Sequence, residues 1–117
     1  MKKEKQYHVN GRIWIDYGDS SFVGQGKIEL LKKIKELGSL RKAATELKMS
    51  YTQAWYTIDN MNKSAPGPLV ILNRGGKEGG VAQITEMGEK VLLVYEKLQK
   101  EFDIFLEIQT SVVSNQF

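Results

Sequence analysis

The chain has 117 residues, of which 41% are hydrophobic and 26% charged, the size and composition of a single globular domain. It contains no cysteine, which excludes a disulfide framework and a thiolate metal site. The net charge is +3, but residues 41–77 carry six basic and two acidic side chains, whereas residues 85–109 carry three lysines and six acids, so one part of the surface is expected to attract an anion.

The N-terminal region is predicted to contain one strand. Residues 9–17 alternate apolar and polar side chains, with Ile13, Ile15 and Tyr17 on one face, as in a half-buried strand. The following residues, GDSSFVGQG, are predicted to form a loop. The sequence before the strand is basic and lacks the apolar run of a signal peptide.

A first helix is predicted from about residue 26 to 37. Its apolar positions share one face: Leu30, Leu31, Ile34 and Leu37. Gly38 suits the end of this helix, and Ser39 is a suitable N-cap for a second helix over residues 40–48.

The segment 39–63 has the spacing of a helix-turn-helix. Two helices that cross steeply over a short turn approach closely, and Ala43 and Ala44 supply the small residues needed there. Ser50 is expected to cap the third helix, with Gln53 at the spacing of a capping box. The helix should end near Lys63, because the prolines that follow prevent its continuation.

The third helix is predicted to present a polar face to solvent. At about 100° per residue the inner face would carry Tyr51, Ala54, Trp55, Ile58 and Met61, and the outer face Thr52, Gln53, Tyr56, Asn60 and Lys63. Uncharged donors and acceptors are typical of a recognition helix in the major groove of DNA. The expected DNA contacts on this helix are Ser50, Tyr51, Thr52, Gln53, Tyr56, Asn60 and Lys63. The alternative is an ordinary polar surface on a small helical domain.

The glycine-rich stretch NRGGKEGGVAQIT is interpreted as a hairpin tip. A Walker phosphate loop needs lysine and a hydroxyl residue after its last glycine, where this chain has Val81 and Ala82. The dinucleotide-binding glycine pattern is also absent. Strands over LVILN and VAQI would instead form a wing, with Arg74 and Lys77 along the phosphate backbone or in the minor groove. The alternative is a plain surface hairpin. We expect the strand at 12–17 to join these wing strands in one small sheet.

The last helix is predicted over residues 86–108, capped by Thr85, with the final residues TSVVSNQF frayed. An apolar stripe recurs at alternating steps of four and three, the spacing of a helix-pair seam: Val91, Tyr95, Leu98, Phe102 and Phe105. This stripe predicts a homodimer that presents two recognition helices roughly 34 Å apart, or a multiple of that. The alternative is that the helix folds back onto its own domain.

No catalytic or metal-binding constellation is visible in the sequence. The only histidine, His8, lies in the basic N-terminal segment, and no nucleophile–base or acid pair falls at a suggestive spacing. No stretch reaches the length of a membrane helix. We therefore expect a cytoplasmic, non-enzymatic protein without a cofactor or a membrane association.

Two long segments resemble a known family. GSLRKAATELKMSYTQAWYTIDNMN and LVILNRGGKEGGVAQITEMGEKVL are similar to the N-terminal DNA-binding domain of the molybdate-responsive ModE regulators, a winged helix related to that of LysR-type regulators. The resemblance covers roughly residues 24–106, and its most specific pieces are MSYTQAW followed by MN, and the glycine-rich wing leading into ITEMGEK. Full-length ModE regulators continue into a molybdate-binding region, so the resemblance implies for these residues DNA binding without molybdate sensing.

Together these patterns predict a mainly α chain with a small β-sheet. Residues 1–117 would form one winged helix-turn-helix domain, with the helix-turn-helix at about 39–63, the wing at 69–84 and a dimerisation helix at 86–108. The predicted function is sequence-specific binding of double-stranded DNA by a homodimeric transcriptional regulator. The alternative is a winged helix used as a protein-interaction module, which would present an apolar patch in place of the polar face.

Overall fold

The computed structural model describes residues 5–73 and 80–117. The fold is mainly α with two short antiparallel sheets, and confirms the predicted winged helix-turn-helix class. In chain order its elements are β1 (Ile15–Tyr17), β2 (Ser20–Val23), α1 (Gln25–Leu37), α2 (Leu40–Glu46), α3 (Tyr51–Lys63), β3 (Val70–Asn73), β4 (Val81–Ile84) and α4 (Glu86–Gln116).

The helix-turn-helix packs on α1 through small and apolar side chains. Ala43 and Ala44 of α2 are buried, which lets the helices approach closely, as the sequence predicted. The hydroxyl of Ser39 accepts a hydrogen bond from the Lys42 amide at 3.2 Å and caps α2. This helix ends at Glu46, two residues before its predicted end, because Lys48 adopts a left-handed conformation with φ of 58°. The turn into α3 begins there.

The N-terminal strand pairs with the segment that was predicted to be a loop. A turn at Gly18, with φ of 61°, folds β2 back onto β1, and Val23 at the end of β2 is fully buried. The prediction that residues 12–17 join the wing was therefore wrong. The wing strands β3 and β4 form a separate sheet, and Ile13 and Ile15 reach the core without it.

The base of the wing is tied to the helices by backbone contacts. The Ala82 amide donates to the carbonyl oxygen of Gly38, the end of α1, at 3.0 Å. The Thr85 amide donates to the carbonyl oxygen of Leu69 at 3.0 Å, and the Thr85 hydroxyl accepts from the Gly88 amide at 3.0 Å, the predicted cap of α4. Gly88 lies so close to Leu69 that any Cβ there would clash with its carbonyl oxygen.

Helix α4 is longer than predicted. It has 31 residues, a length of about 46 Å at 1.5 Å per residue, and the molecule is correspondingly elongated at 60 × 38 × 22 Å. Residues 110–116, which belong to the segment predicted to be frayed, continue the helix. The N-terminal segment lies along them: the Val9 amide donates to the Thr110 hydroxyl at 2.9 Å, and the rings of Tyr7 and Phe117 are 5.1 Å apart.

Candidate nucleic-acid interface

Helix α3 is fixed in place by its buried face and its cap. Ala54, Ile58 and Met61 are buried in the core. The hydroxyl of Ser50 accepts a hydrogen bond from the Gln53 amide at 3.0 Å, as the capping-box spacing predicted. The direction in which the outer side chains point is therefore set by the packing of the helix rather than by their own contacts.

The outer face of α3 is polar and exposed. All five residues predicted to lie there are open to solvent: Thr52, Gln53, Tyr56, Asn60 and Lys63. Lys63 pairs with the Asp59 carboxylate at 2.8 Å, and this contact lies at the C-terminal end of the helix, away from Gln53. The face presents amides, hydroxyls and one phenol, which are groups able to read the edges of base pairs.

Two residues predicted to lie on the inner face are partly exposed instead. Tyr51 is 41% and Trp55 38% exposed, so the buried face of α3 is narrower than the helical wheel predicted. The ring of Tyr51 lies 5.3 Å beneath the guanidinium of Arg41, and Trp55 packs edge-on against Tyr56 with ring centroids 5.2 Å apart. The role of Tyr51 as a DNA contact stays a prediction.

Asn62 joins α3 to the wing, a role that was not predicted, although the resemblance includes this residue in its MN pair. Its side-chain oxygen accepts from the amides of Leu69 at 2.8 Å and Val70 at 3.3 Å, and its side-chain nitrogen donates to the Val70 carbonyl oxygen at 3.0 Å. Asn62 lies one turn from the buried Ile58 on the same side of the helix. A polar residue at that inner position was the signal that could have identified it.

The wing strands pair in regular register, from Val70 opposite Ile84 to Asn73 opposite Val81. The predicted phosphate contacts Arg74 and Lys77 lie outside the described residues. Between the wing strands and α3 runs an open groove of ≈ 360 Å³. The groove begins beside the base-reading face predicted on α3.

Basic side chains flank the outer face of α3 within the described chain. Arg41 and Lys42 lie at the exposed start of α2, and Lys48 lies in the turn before Ser50. Such positions at the edge of a recognition helix suit contacts with phosphates, which position a protein on DNA without selecting its sequence.

Part of the apolar stripe that was predicted to form the dimer seam on α4 packs instead against its own subunit. Tyr95 is 4% exposed, and its hydroxyl donates to the Ile13 carbonyl oxygen at 2.9 Å, so its side chain belongs to the core of its own subunit. Burial, with a smaller contribution from Asp103, raises the pKa of the Tyr95 hydroxyl. Phe102 lies against Gly11, where a Cβ would stand 2.9 Å from its ring. The expectation that Phe102 stands exposed in a monomer was therefore wrong, because the N-terminal segment covers it.

One stripe of exposed apolar residues on α4 lies about a quarter-turn away from Tyr95. It comprises Val94, Phe105, Ile108 and Val112, with the partly buried Leu98 among them, whereas the exposed Leu93 and Ile104 lie outside this stripe. The spacing within the stripe is again four and three, with Glu101 at the remaining position of the series. Phe105 and Leu98 thus stay in the predicted seam, whereas Val91, Tyr95 and Phe102 turn toward their own domain.

The described ranges contain neither a membrane-spanning helix nor a cluster of metal ligands. None of the helices there is long and apolar enough to cross a membrane. Over residues 5–73 and 80–117, no three side chains of His, Cys, Asp or Glu come together in a group that could hold a metal ion.

Similar proteins were found by sequence. The chain is 35% identical over 96 residues to "Molybdenum transport protein ModE" of Azotobacter vinelandii, which covers 82% of this chain and 36% of that protein. It is 39% identical over 79 residues to "Transcriptional regulator ModE" of Haemophilus influenzae. This alignment covers 68% of this chain and 31% of that protein. A third relative, "DNA-binding transcriptional dual regulator ModE" of Escherichia coli K12, is 37% identical over 87 residues, 71% of this chain and 33% of that protein.

The chain is a homologue of the ModE transcriptional regulators. It spans about a third of the length of the ModE proteins that it matches. No family model matches it.

Solved structures support the fold of this ModE homologue. The BenM DNA-binding domain in complex with catB site 1 DNA superposes with a TM-score of 0.53 and 20% identity, over 76% of this chain and 94% of that one. ArgP from Mycobacterium tuberculosis gives a TM-score of 0.51 and 20% identity, over 73% of this chain and 30% of that one. At this identity the likeness concerns the winged helix-turn-helix fold alone.

Proposed function

We propose that the chain binds double-stranded DNA in a sequence-specific manner and regulates transcription in the cytoplasm. The observation that carries the proposal is the exposed polar face of α3, on which only Lys63 is charged, above a buried frame of Ala54, Ile58 and Met61. The ModE relatives named above as transcriptional regulators support it. The role is that of a binding protein and not of an enzyme, and no effector or cofactor is assigned to these residues.

In this proposal α3 enters the major groove. Gln53 and Tyr56 approach base edges, because both project from the N-terminal half of the exposed face. Ser50 and Thr52 contact phosphates at the start of the helix, while Tyr51, Asn60 and Lys63 border the same surface. Arg74 and Lys77 of the wing would add contacts with phosphates on a neighbouring strand.

The protein would act as a two-fold homodimer joined along α4. The C-terminal half of α4 exposes large apolar side chains, with Phe105 53% and Ile108 54% exposed. An apolar stripe with alternating steps of four and three residues suits a helix pair, and its Phe105 and Leu98 belong to the seam predicted from the sequence. Two such subunits would present their α3 helices to a palindromic site, roughly 34 Å apart or a multiple of that.

A titration against salt tests the proposal. Binding of a labelled duplex, followed by fluorescence anisotropy between about 50 and 200 mM salt, should weaken by orders of magnitude, because each neutralised phosphate releases counterions. The matched control is a variant with both Thr52→Glu and Gln53→Glu, which places carboxylates on the same face and should abolish binding without unfolding the protein. A chain that shows no salt-dependent affinity for any duplex would favour the alternative role as a protein-interaction module.

A further inference from the structure

We propose that the groove between α3 and the wing holds one deoxyribose–phosphate strand of the duplex, with the indole of Trp55 packed against its sugars. The inference rests on the DNA binding proposed above. It adds a contact that contributes affinity without base preference and assigns it to a residue outside the predicted DNA-binding set.

The groove has two walls. Tyr51 and Trp55 of α3 form one wall, and Leu72 and Val81 of the wing form the other. Both Trp55 and Val81 are open to solvent, at 38% and 51%. The hydrogen bonds of Asn62 to Leu69 and Val70 hold the two walls together, so the groove exists before any ligand enters.

The geometry of the duplex brings a backbone strand to this place. In B-DNA a single sugar–phosphate strand separates the major groove from the neighbouring minor groove. A protein that inserts α3 into the major groove and extends its wing across the adjoining strand must therefore straddle that strand. The groove lined by residues of both α3 and the wing is the place where that strand would lie.

The walls combine apolar surface that suits the sugar with uncharged polar groups that suit the phosphate beside it. None of the described residues that line the groove is charged. Indole and aliphatic surface match the C–H face of a deoxyribose. The exposed Asn73 also lines the groove and carries an amide that can donate to a phosphate beside the sugar. A positive charge lies at the edge of the groove. The guanidinium of Arg41 is 5.3 Å from the ring of Tyr51 and can reach a phosphate beside the sugar.

Trp55 is also restrained before binding. Its indole packs at 88° against Tyr56, with ring centroids 5.2 Å apart. A side chain that is already held in one orientation loses little conformational freedom when a ligand covers it. The same contact links the sugar-binding side chain to Tyr56, which is proposed to read bases.

The intrinsic fluorescence of Trp55 tests the inference. The chain has two tryptophans, and Trp14→Phe leaves Trp55 as the only one. This variant is titrated with a duplex selected for tight binding and with a scrambled duplex of the same composition. The fluorescence emission of Trp55 should change when the variant is saturated with either duplex. Trp55→Ala should weaken binding to both duplexes by the same factor, about ten-fold, without changing the salt slope, because a sugar contact releases no counterions.

Trp55→Phe is the control for folding and shape, and should retain most of the affinity that Trp55→Ala loses. If the Trp14→Phe variant binds DNA while the emission of Trp55 stays unchanged, the groove is not the backbone site, although DNA binding stands. A loss on one duplex only would make Trp55 a base-reading residue and overturn the inference. An emission shift that follows protein concentration without DNA would assign the groove to a second copy of the chain. Failure of the variant and the wild type to bind any duplex would overturn both proposals.

Discussion

The side-chain amide of Asn62 donates to the carbonyl oxygen of Val70 at 3.0 Å and, through its oxygen, accepts from the Val70 amide at 3.3 Å. One residue of α3 therefore satisfies both backbone groups of the first residue of the wing. Because the same oxygen also accepts from Leu69 at 2.8 Å, this side chain links α3 directly to the start of the wing, in addition to the contacts of Ala82 and Thr85 at its base.

Replacing Asn62 with alanine should lower the free energy of unfolding by about 1–3 kcal/mol, because the partly buried amides of Leu69 and Val70 lose their acceptor. Chemical denaturation measures the change. Asn60→Ala, two residues away on the exposed face of α3, is the matched control and should alter stability by less than about 0.5 kcal/mol. Equal stability of the two variants would show that water replaces Asn62 without cost.

Gln53→Ala should weaken binding to the best site by about 1–3 kcal/mol and relax the preference at one base position. The backbone amide of Gln53, which Ser50 caps, is unchanged by the substitution, so the helix should stay intact. Selection of binding sites from a random duplex pool measures the preference. The exposed Gln116→Ala, at the end of α4, serves as the control. An equal loss on all sequences would identify Gln53 as a backbone contact.

Arg74→Ala and Lys77→Ala in the wing should each weaken binding to any duplex and lower the salt slope by roughly one unit. The reason is that each variant neutralises one phosphate fewer. Titrations at several salt concentrations give the slope, with Lys97→Ala on the exposed surface of α4 as the control. Unchanged slopes for both wing variants would mean that the wing does not touch DNA.

Phe105→Glu together with Ile108→Glu should yield a folded monomer with much weaker DNA binding, because both side chains are exposed in the subunit and lie in the proposed seam. Sedimentation and thermal unfolding separate assembly from folding. Phe102→Glu is the contrasting variant: its side chain packs on Gly11, so this substitution should destabilise the subunit itself. A wild-type chain that is monomeric at micromolar concentration and binds a half-site at full strength would exclude the dimer.

Gly88→Ala should destabilise the fold by about 1–3 kcal/mol or more, because the added methyl group would meet the Leu69 carbonyl oxygen and the Ile84 side chain. To avoid this steric clash, α4 would have to move away from the base of the wing. Thermal unfolding measures the effect. Gly26→Ala, where a Cβ meets no atom within 4 Å, is the matched control and should be neutral or slightly stabilising. Wild-type stability in Gly88→Ala would show that the helix start can shift freely.

The helix-turn-helix could be predicted from the sequence because its signals are local. Gly38, Ser39 and Ser50 mark helix ends through contacts within three or four residues, and each acts at the expected position. The partner of β1 could not be predicted in this way. Strand pairing depends on which surfaces meet in three dimensions, and the buried Val23 gave no sign of its partner.

In the candidate site, too, the locally determined features could be predicted from the sequence and those that depend on tertiary packing could not. The exposure of Gln53, Tyr56 and Asn60 followed from helical periodicity, whereas that of Trp55 depends on how α3 sits against the wing. The sequence did not show which apolar residues of α4 pack on their own subunit and which are exposed, because apolar residues continue around the helix. Only the fold reveals that residues distant in sequence, such as Gly11 and Ile13, cover part of it.

The pairing of the two α4 helices would set the distance between the subunits in the proposed dimer. The exposed apolar stripe of α4 extends from Val94 to Val112, more than four turns, and most of that length lies beyond the core. A slip of one turn along the seam would move the subunits by about 5.4 Å relative to each other, which exceeds the roughly 3.4 Å between successive base pairs. The distance between half-sites that the protein accepts would then depend on the register of the apolar seam between the two α4 helices.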